Sequence, residues 1–187
     1  MAVAAGDLNG DQHPDLAVTN ILGSVAVLMN KGTGKFRRPV GYGAGSGGIV
    51  DVAIADLNYD GFPDLVAANA SKSAVAVLLN NGDGTFGVAT LYPTSLPNKS
   101  TGAAAVVVAD FNLDGIPDIA AANQLNNSAL LYGKGNGKFK KAIPIKDGLD
   151  FQGGFSIAAG DFNNDQAPDL AIPIWDQGKV AIMINTQ

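Results

Sequence analysis

Four nine-residue stretches carry most of the reactive side chains in this chain. "DLNGDQHPD" runs from Asp7, "DLNYDGFPD" from Asp56, "DFNLDGIPD" from Asp110 and "DFNNDQAPD" from Asp161. Counted from the first aspartate, positions one, three, five and nine are Asp, Asn, Asp and Asp in every copy. Three carboxylates held this close repel one another unless a cation lies between them. Oxygen donors at alternate positions of a tight loop suit a hard cation with about six to eight oxygen ligands, which points to calcium. The candidate side-chain ligands are Asp7, Asn9, Asp11 and Asp15; Asp56, Asn58, Asp60 and Asp64; Asp110, Asn112, Asp114 and Asp118; and Asp161, Asn163, Asp165 and Asp169. Position seven varies (His13, Phe62, Ile116, Ala167), as expected if only its backbone carbonyl binds. Position eight is always proline, which extends the residue before it and so aims that carbonyl. The expectation is about four calcium ions, one per copy.

The elements around each loop repeat as well, at a period of about 50 residues. A short strand of small residues precedes each loop: "VAAG", "VAIA", "VVVA" and "IAAG". A second strand follows the proline, as in "DLAV", and a third is apolar, as in "SVAVLMN" and "KVAIMIN". "NKGTGKF", "NNGDGTF" and "GKGNGKF" then read as hairpin turns, because glycine accepts the positive φ that such turns need. More polar residues after Phe36, Phe86 and Phe139 form a fourth strand. No helical period is sustained. Four short strands per repeat predict a propeller blade. The fold class is therefore all-β, a partial or small β-propeller of four four-stranded antiparallel blades. The fourth blade, near 153–187, lacks its outer strand; the others fall near 1–47, 48–101 and 102–152 of a single domain, 1–187.

Other chemistries fit less well. An EF-hand loop begins in the same way but needs a glutamate at position twelve and flanking helices. Position twelve here is Val18, Ala67, Ala121 and Ile172, and the chain has no glutamate at all. His13 is the only histidine and sits at a backbone-ligand position, so no Ser/His/Asp triad can be assembled around it. No catalytic residue is assigned, and an enzyme is not expected. The absence of cysteine excludes disulfides and thiolate zinc sites. A net charge of −5 concentrated in the loops, with no basic run, argues against nucleic acid. No apolar run is long enough for membrane insertion. Trp175, the only tryptophan, could stack on a sugar ring or simply pack. Asn69, Asn98 and Asn126 begin glycosylation sequons, which carry no meaning in a bacterial protein.

D-x-N-x-D-G-x-P-D-[LI], followed by an apolar strand and G-x-G-x-F, resembles the FG-GAP/VCBS repeat family, to which the integrin α-subunit propellers belong. The resemblance covers essentially the whole chain. It implies calcium between the first two strands of each blade and a propeller, usually of seven blades. It also implies a secreted, cell-surface or periplasmic protein, with a bacterial source expected. Members of such a family bind protein or carbohydrate, or serve as accessory domains of secreted carbohydrate-active enzymes. The chain starts on a first strand and stops where a last hairpin should begin, and it reads as part of a longer protein. Four blades could close, stay open, or pair with a second copy in a homodimer that completes a larger propeller. Position six should take a left-handed turn. Gly61 and Gly115 suit that turn and Gln12 and Gln166 do not, so weaker first and fourth loops are expected.

Overall fold

The structure is a computed structural model that describes residues 1–95, 102–124, 128–145, 154–174 and 176–186. Trp175, Asn98 and Asn126 lie outside the described residues. Every described element is a strand, and the strands form four separate antiparallel sheets in sequence order. The first sheet holds β1 (Val3–Gly6), β2 (Asp15–Thr19), β3 (Ser24–Leu28) and β4 (Val40–Gly43). The second holds β5 (Ile49–Ala55), β6 (Asp64–Asn69), β7 (Ala74–Leu78) and β8 (Thr90–Pro93). The third holds β9 (Ala103–Ala109), β10 (Asp118–Asn123), β11 (Ala129–Leu131) and the two-residue β12 (Ile143–Pro144). The fourth has three strands, β13 (Ala158–Gly160), β14 (Asp169–Ile174) and β15 (Lys179–Met183). Each sheet is an up-and-down meander, so the fold is the expected propeller with an incomplete fourth blade.

Burial along the strands shows how the blades stack. β6, β7 and β10 are buried at every position, which requires cover on both faces. In the first blade β2 and β3 alternate instead: Ala17, Val25 and Val27 are buried, while Leu16, Val18 and Leu28 are only half-buried. β14 and β15 alternate likewise, with Ile172 and Ala181 buried and Val180 and Ile182 exposed. One core cluster lies between blades one and two, from Leu8 and Val25 to Leu65 and Phe86. The next joins blades two and three, from Leu57 and Val75 to Ile119 and Phe139. Two smaller clusters join blades three and four through Ala122, Phe111, Ile172 and Leu170. Among the described residues no cluster joins blade four to blade one, so the four blades form an open arc.

Candidate metal loops and blade junctions

All four Asp motifs connect the first and second strands of their blades, which puts them on one edge of the arc. Their backbones follow one course. Position six is left-handed in every copy, at φ 66° for Gln12, 86° for Gly61, 82° for Gly115 and 73° for Gln166. The sequence had pointed to that turn. It had not pointed to position four, which is left-handed too: Gly10, Tyr59, Leu113 and Asn164 have φ of 76°, 60°, 57° and 62°. This second turn removes the basis for ranking the first and fourth loops as weaker. Where position six lacks glycine, position four has glycine or asparagine; where position six has glycine, position four has tyrosine or leucine. Each loop therefore holds one poorly suited residue in the left-handed region.

Hydrogen bonds explain why the chain accepts that strain. The Asp7 carboxylate accepts the amides of Asn9, Gly10, Asp11 and Gln12, at 2.7 to 3.3 Å. Asp56, Asp110 and Asp161 accept amides from the same loop positions. Asn9 receives the Asp11 amide on Oδ1 and donates from Nδ2 to Asp11 Oδ2, at 3.0 Å each. Asn58, Asn112 and Asn163 repeat that pair with Asp60, Asp114 and Asp165. Burial raises the Asp7 carboxyl, but the amide bonds outweigh it and hold the group below the usual carboxylate range. Asp161 is lowered by its amide bonds, chiefly that of Gln166.

Position nine has a second task beside any ligation. Asp15, Asp64, Asp118 and Asp169 are buried, and each bonds two amides across its blade. Oδ2 takes the position-two amide of Leu8, Leu57, Phe111 or Phe162, at 2.8 to 3.1 Å. Oδ1 takes the amide that opens the hairpin, from Asn30, Asn80, Gly133 or Asn185, at 2.7 or 2.8 Å. The carboxylate thus ties the loop to the end of the third strand. Burial raises Asp64 to about 6, and Asp118 is raised for the same reason.

The residues present offer only oxygen, as a hard cation requires. In the first loop Asp11 and Asp15 each accept two hydrogen bonds and keep lone pairs for a cation, whereas the four amides on Asp7 occupy its sites and a cation would have to displace some of them. Among the described residues, no three carboxylate or histidine side chains converge as a ready-made cluster. A cation would take over the partner role that Asn Nδ2 now plays toward position five. In the first three loops the position-seven side chain lies over the hairpin: a Cβ on Gly32 would fall 2.5 Å from His13 Nε2, one on Gly82 3.4 Å from Phe62 and one on Gly135 3.6 Å from Ile116. That leaves the backbone as the only ligand these residues could contribute.

The hairpins also staple successive blades, a role the sequence had not disclosed. Asn80 Nδ2 donates to the Leu8 carbonyl of the first blade at 2.8 Å, and Asn185 Nδ2 donates to Phe111 of the third at 2.7 Å. At the middle junction Gly133 replaces asparagine, and the Gly137 amide bonds the Leu57 carbonyl instead, at 3.1 Å. Phe86 stacks edge-on against Tyr42 at 5.2 Å, and Phe139 against Tyr92 at 5.6 Å. Tyr59 Oη donates to the Gly115 carbonyl, linking the second and third loops directly. At the opposite edge Asn69 Nδ2 reaches Ala44 O at 3.0 Å, and Asn123 Nδ2 reaches Thr94 O at 3.2 Å.

Known proteins resemble this chain in sequence and in fold. Human integrin α-7 is 29% identical over 136 residues, covering 65% of this chain and 12% of its own length. Chicken integrin α-6 is 30% identical over 138 residues, with 65% and 13% covered. The chain thus spans about an eighth of these curated relatives. Among solved structures, a lectin from Agrocybe aegerita that recognises non-reducing terminal N-acetylglucosamine superposes with a TM-score of 0.61 at 22% identity. That likeness covers 97% of this chain and 51% of the lectin chain. The Vibrio cholerae biofilm matrix protein Bap1 gives a TM-score of 0.56 at 21% identity, over 97% of this chain and 26% of its own. The pattern of the FG-GAP-like repeat matches three overlapping spans, 7–67, 56–121 and 110–172, each running from one Asp loop into the next blade's second strand. With the repeat, the loop and the blade all in agreement, the chain belongs to the FG-GAP-like repeat family.

Proposed function

We propose that this chain is a calcium-stabilised propeller module for adhesion outside the cell, binding a protein or a carbohydrate and catalysing no reaction. The observation that carries the reading is the fourfold repetition of one oxygen-donor loop, with the same two left-handed positions, along one edge of the arc. In the first loop the holders would be Asp7, Asn9, Asp11 and Asp15, with the His13 carbonyl. The equivalent residues would serve in the other three. Bound calcium would draw in and neutralise the negative charge that each loop concentrates. The protein's own contribution is to hold those carboxylates on a rigid sheet edge, through the amide bonds to positions one and nine.

Kinship with integrin α subunits supports adhesion. The likeness to a lectin supports carbohydrate among the ligand classes. Among the described residues no helix is long and apolar enough to cross a membrane, which fits a module displayed outside one. The test is binding of the purified chain to a glycan array and to immobilised extracellular-matrix proteins, with calcium and with chelator. Saturable binding that chelator abolishes supports the reading. Turnover of a polysaccharide by the chain would overturn it.

A further inference from the structure

At position four of the second Asp loop stands Tyr59, left-handed at φ 60° and 56% exposed. An aromatic residue is a poor occupant of that region, and glycine or asparagine would suit it better. Tyr59 nevertheless makes a contact that neither could make. Its hydroxyl donates to the carbonyl of Gly115, 56 residues on, at position six of the third loop. The first blade shows the same direction in outline. A Cβ on Gly10, at position four there, would lie 3.7 Å from Phe62 at position seven of the second loop. At both junctions position four of one blade therefore faces position six or seven of the next.

The Gly115 carbonyl belongs to the peptide unit that joins Gly115 to Ile116. The other end of that unit is the Ile116 amide, which donates to Asp114 Oδ1 at 2.8 Å. One step back, the Gly115 amide donates to Asp110 Oδ2 at 2.7 Å. With Tyr59 in place the peptide is held at both ends, by the second blade on its carbonyl side and by its own loop on its amide side. A peptide unit is planar, so two anchors leave it little freedom to rotate. That unit leads directly to the Ile116 carbonyl, the candidate backbone ligand of the third loop. The other junctions lack this brace. Gly10 has no side chain, and Leu113 has no polar group to offer the fourth loop. Among the described contacts no side chain bonds the carbonyl of Gln12, Gly61 or Gln166, the counterparts of Gly115.

We propose that Tyr59 is a positioning residue that couples the second and third loops, so that calcium at one favours calcium at the other. The proposal rests on the reading of these loops as calcium sites. Calcium at the second loop fixes the turn that carries Tyr59. The fixed hydroxyl holds the peptide between Gly115 and Ile116, and the third loop then has less to order when it binds. Coupling of binding free energies is reciprocal, so the third loop helps the second by the same factor. The effect is bounded by the worth of one hydrogen bond, which sets its scale at about three- to tenfold in affinity. The first and fourth loops stand outside the coupled pair.

The experiment is a calcium titration of the full chain followed by amide NMR, with the position-six amides of Gln12, Gly61, Gly115 and Gln166 as one reporter per loop. The proteins compared are the wild type, Tyr59→Phe, Asp60→Asn and the double variant. Tyr59 and Asp60 are both exposed, so folding should survive, which circular dichroism checks. In Tyr59→Phe the Gly115 midpoint should move to about three- to tenfold higher calcium, and Gly61 should follow, while Gln12 and Gln166 stay in place. Asp60→Asn, which weakens the second loop, should also raise the Gly115 midpoint, and by less when Tyr59 is already phenylalanine. In chelator the Gly115 carbonyl carbon should shift in Tyr59→Phe, a readout that needs no metal. An unmoved carbonyl carbon, or an equal Gly115 midpoint in wild type and Tyr59→Phe, would overturn the proposal and leave the calcium sites standing. An Asp60→Asn effect of the same size in both backgrounds would overturn it too, by routing the coupling around Tyr59. If no position-six amide of the wild type responds to calcium, the calcium reading itself falls and the coupling falls with it.

Discussion

Asn80 Nδ2 lies 2.8 Å from the carbonyl oxygen of Leu8, 72 residues away in the chain and one blade back. The same amide group donates to Pro63 O at 2.9 Å, and Asn80 Oδ1 accepts the amides of Gly82 and Gly84. One buried side chain thus joins the Asp loop of the first blade, the Asp loop of the second and the second blade's hairpin. Stability of the loops and stacking of the blades are therefore the same property.

Replacing Asn80 with alanine leaves two carbonyls and two hairpin amides short of partners. Buried groups without partners cost about 1–3 kcal/mol each, less where water enters, so a loss of about 2–4 kcal/mol is expected. The same change at Asn30, which is half-buried and whose side chain bonds only Pro14 O and the Gly32 amide of its own blade among the described contacts, should cost under about 1 kcal/mol. Urea unfolding of the two variants at low protein concentration checks the contrast; equal losses would contradict the stapling role.

The left-handed pairs give a second expectation. Leu113→Gly, Gln12→Gly and Gln166→Gly each remove one unfavourable residue from a left-handed position, a relief of roughly 1–2 kcal/mol. Glycine's extra freedom in the unfolded chain offsets part of that, leaving a gain of about 0.5–1 kcal/mol in each case. Melting curves of the three variants should shift upward by similar amounts. A gain confined to the two glutamine positions would restore the ranking that position six alone suggests.

Acid should stabilise the metal-free protein before it destabilises it. Asp64 is raised from 3.8 to about 6 by burial and Asp118 is raised too, so both favour the protonated form in the folded chain. A raised folded value contributes stability that is present at low pH and lost as pH climbs through about 6. Asp7 and Asp161 are lowered, so their contribution disappears only as pH falls below the ordinary value of 3.8. In chelator the melting temperature should therefore peak near pH ~5 and fall on either side. Asp64→Asn should flatten the fall between pH ~5 and ~7; an unchanged profile would mean that Asp64 does not titrate there.

Strand order, blade count and loop placement were legible because each rests on a repeated local signal. Alternating or continuous apolar runs give strands, glycine pairs give hairpins, and proline marks where each second strand begins. The turn at position six was legible from Gly61 and Gly115. Position four was not, because tyrosine and leucine are poor left-handed residues; the turn around them is held by neighbouring amides, Gly61 to Asp56 and Asp114 to Asp110, and for Tyr59 by its hydroxyl on Gly115 O. The second role of Asp15 and its counterparts was hidden by their fit to a ligand pattern. The junctions were partly legible: asparagine recurs at 30, 80 and 185, but Gly133 breaks the series and a backbone amide takes its place.

The most direct test of the account is the melting temperature of the purified chain in excess chelator and after calcium is returned. Cation binding to the folded state alone adds about 2.7 kcal/mol per site at a hundredfold excess over Kd. The account predicts a large drop on chelation, reversed by calcium and much less by magnesium, whose smaller octahedral shell fits this loop poorly. A melting curve that neither chelator nor calcium moves would contradict the claim that the four Asp loops are calcium sites.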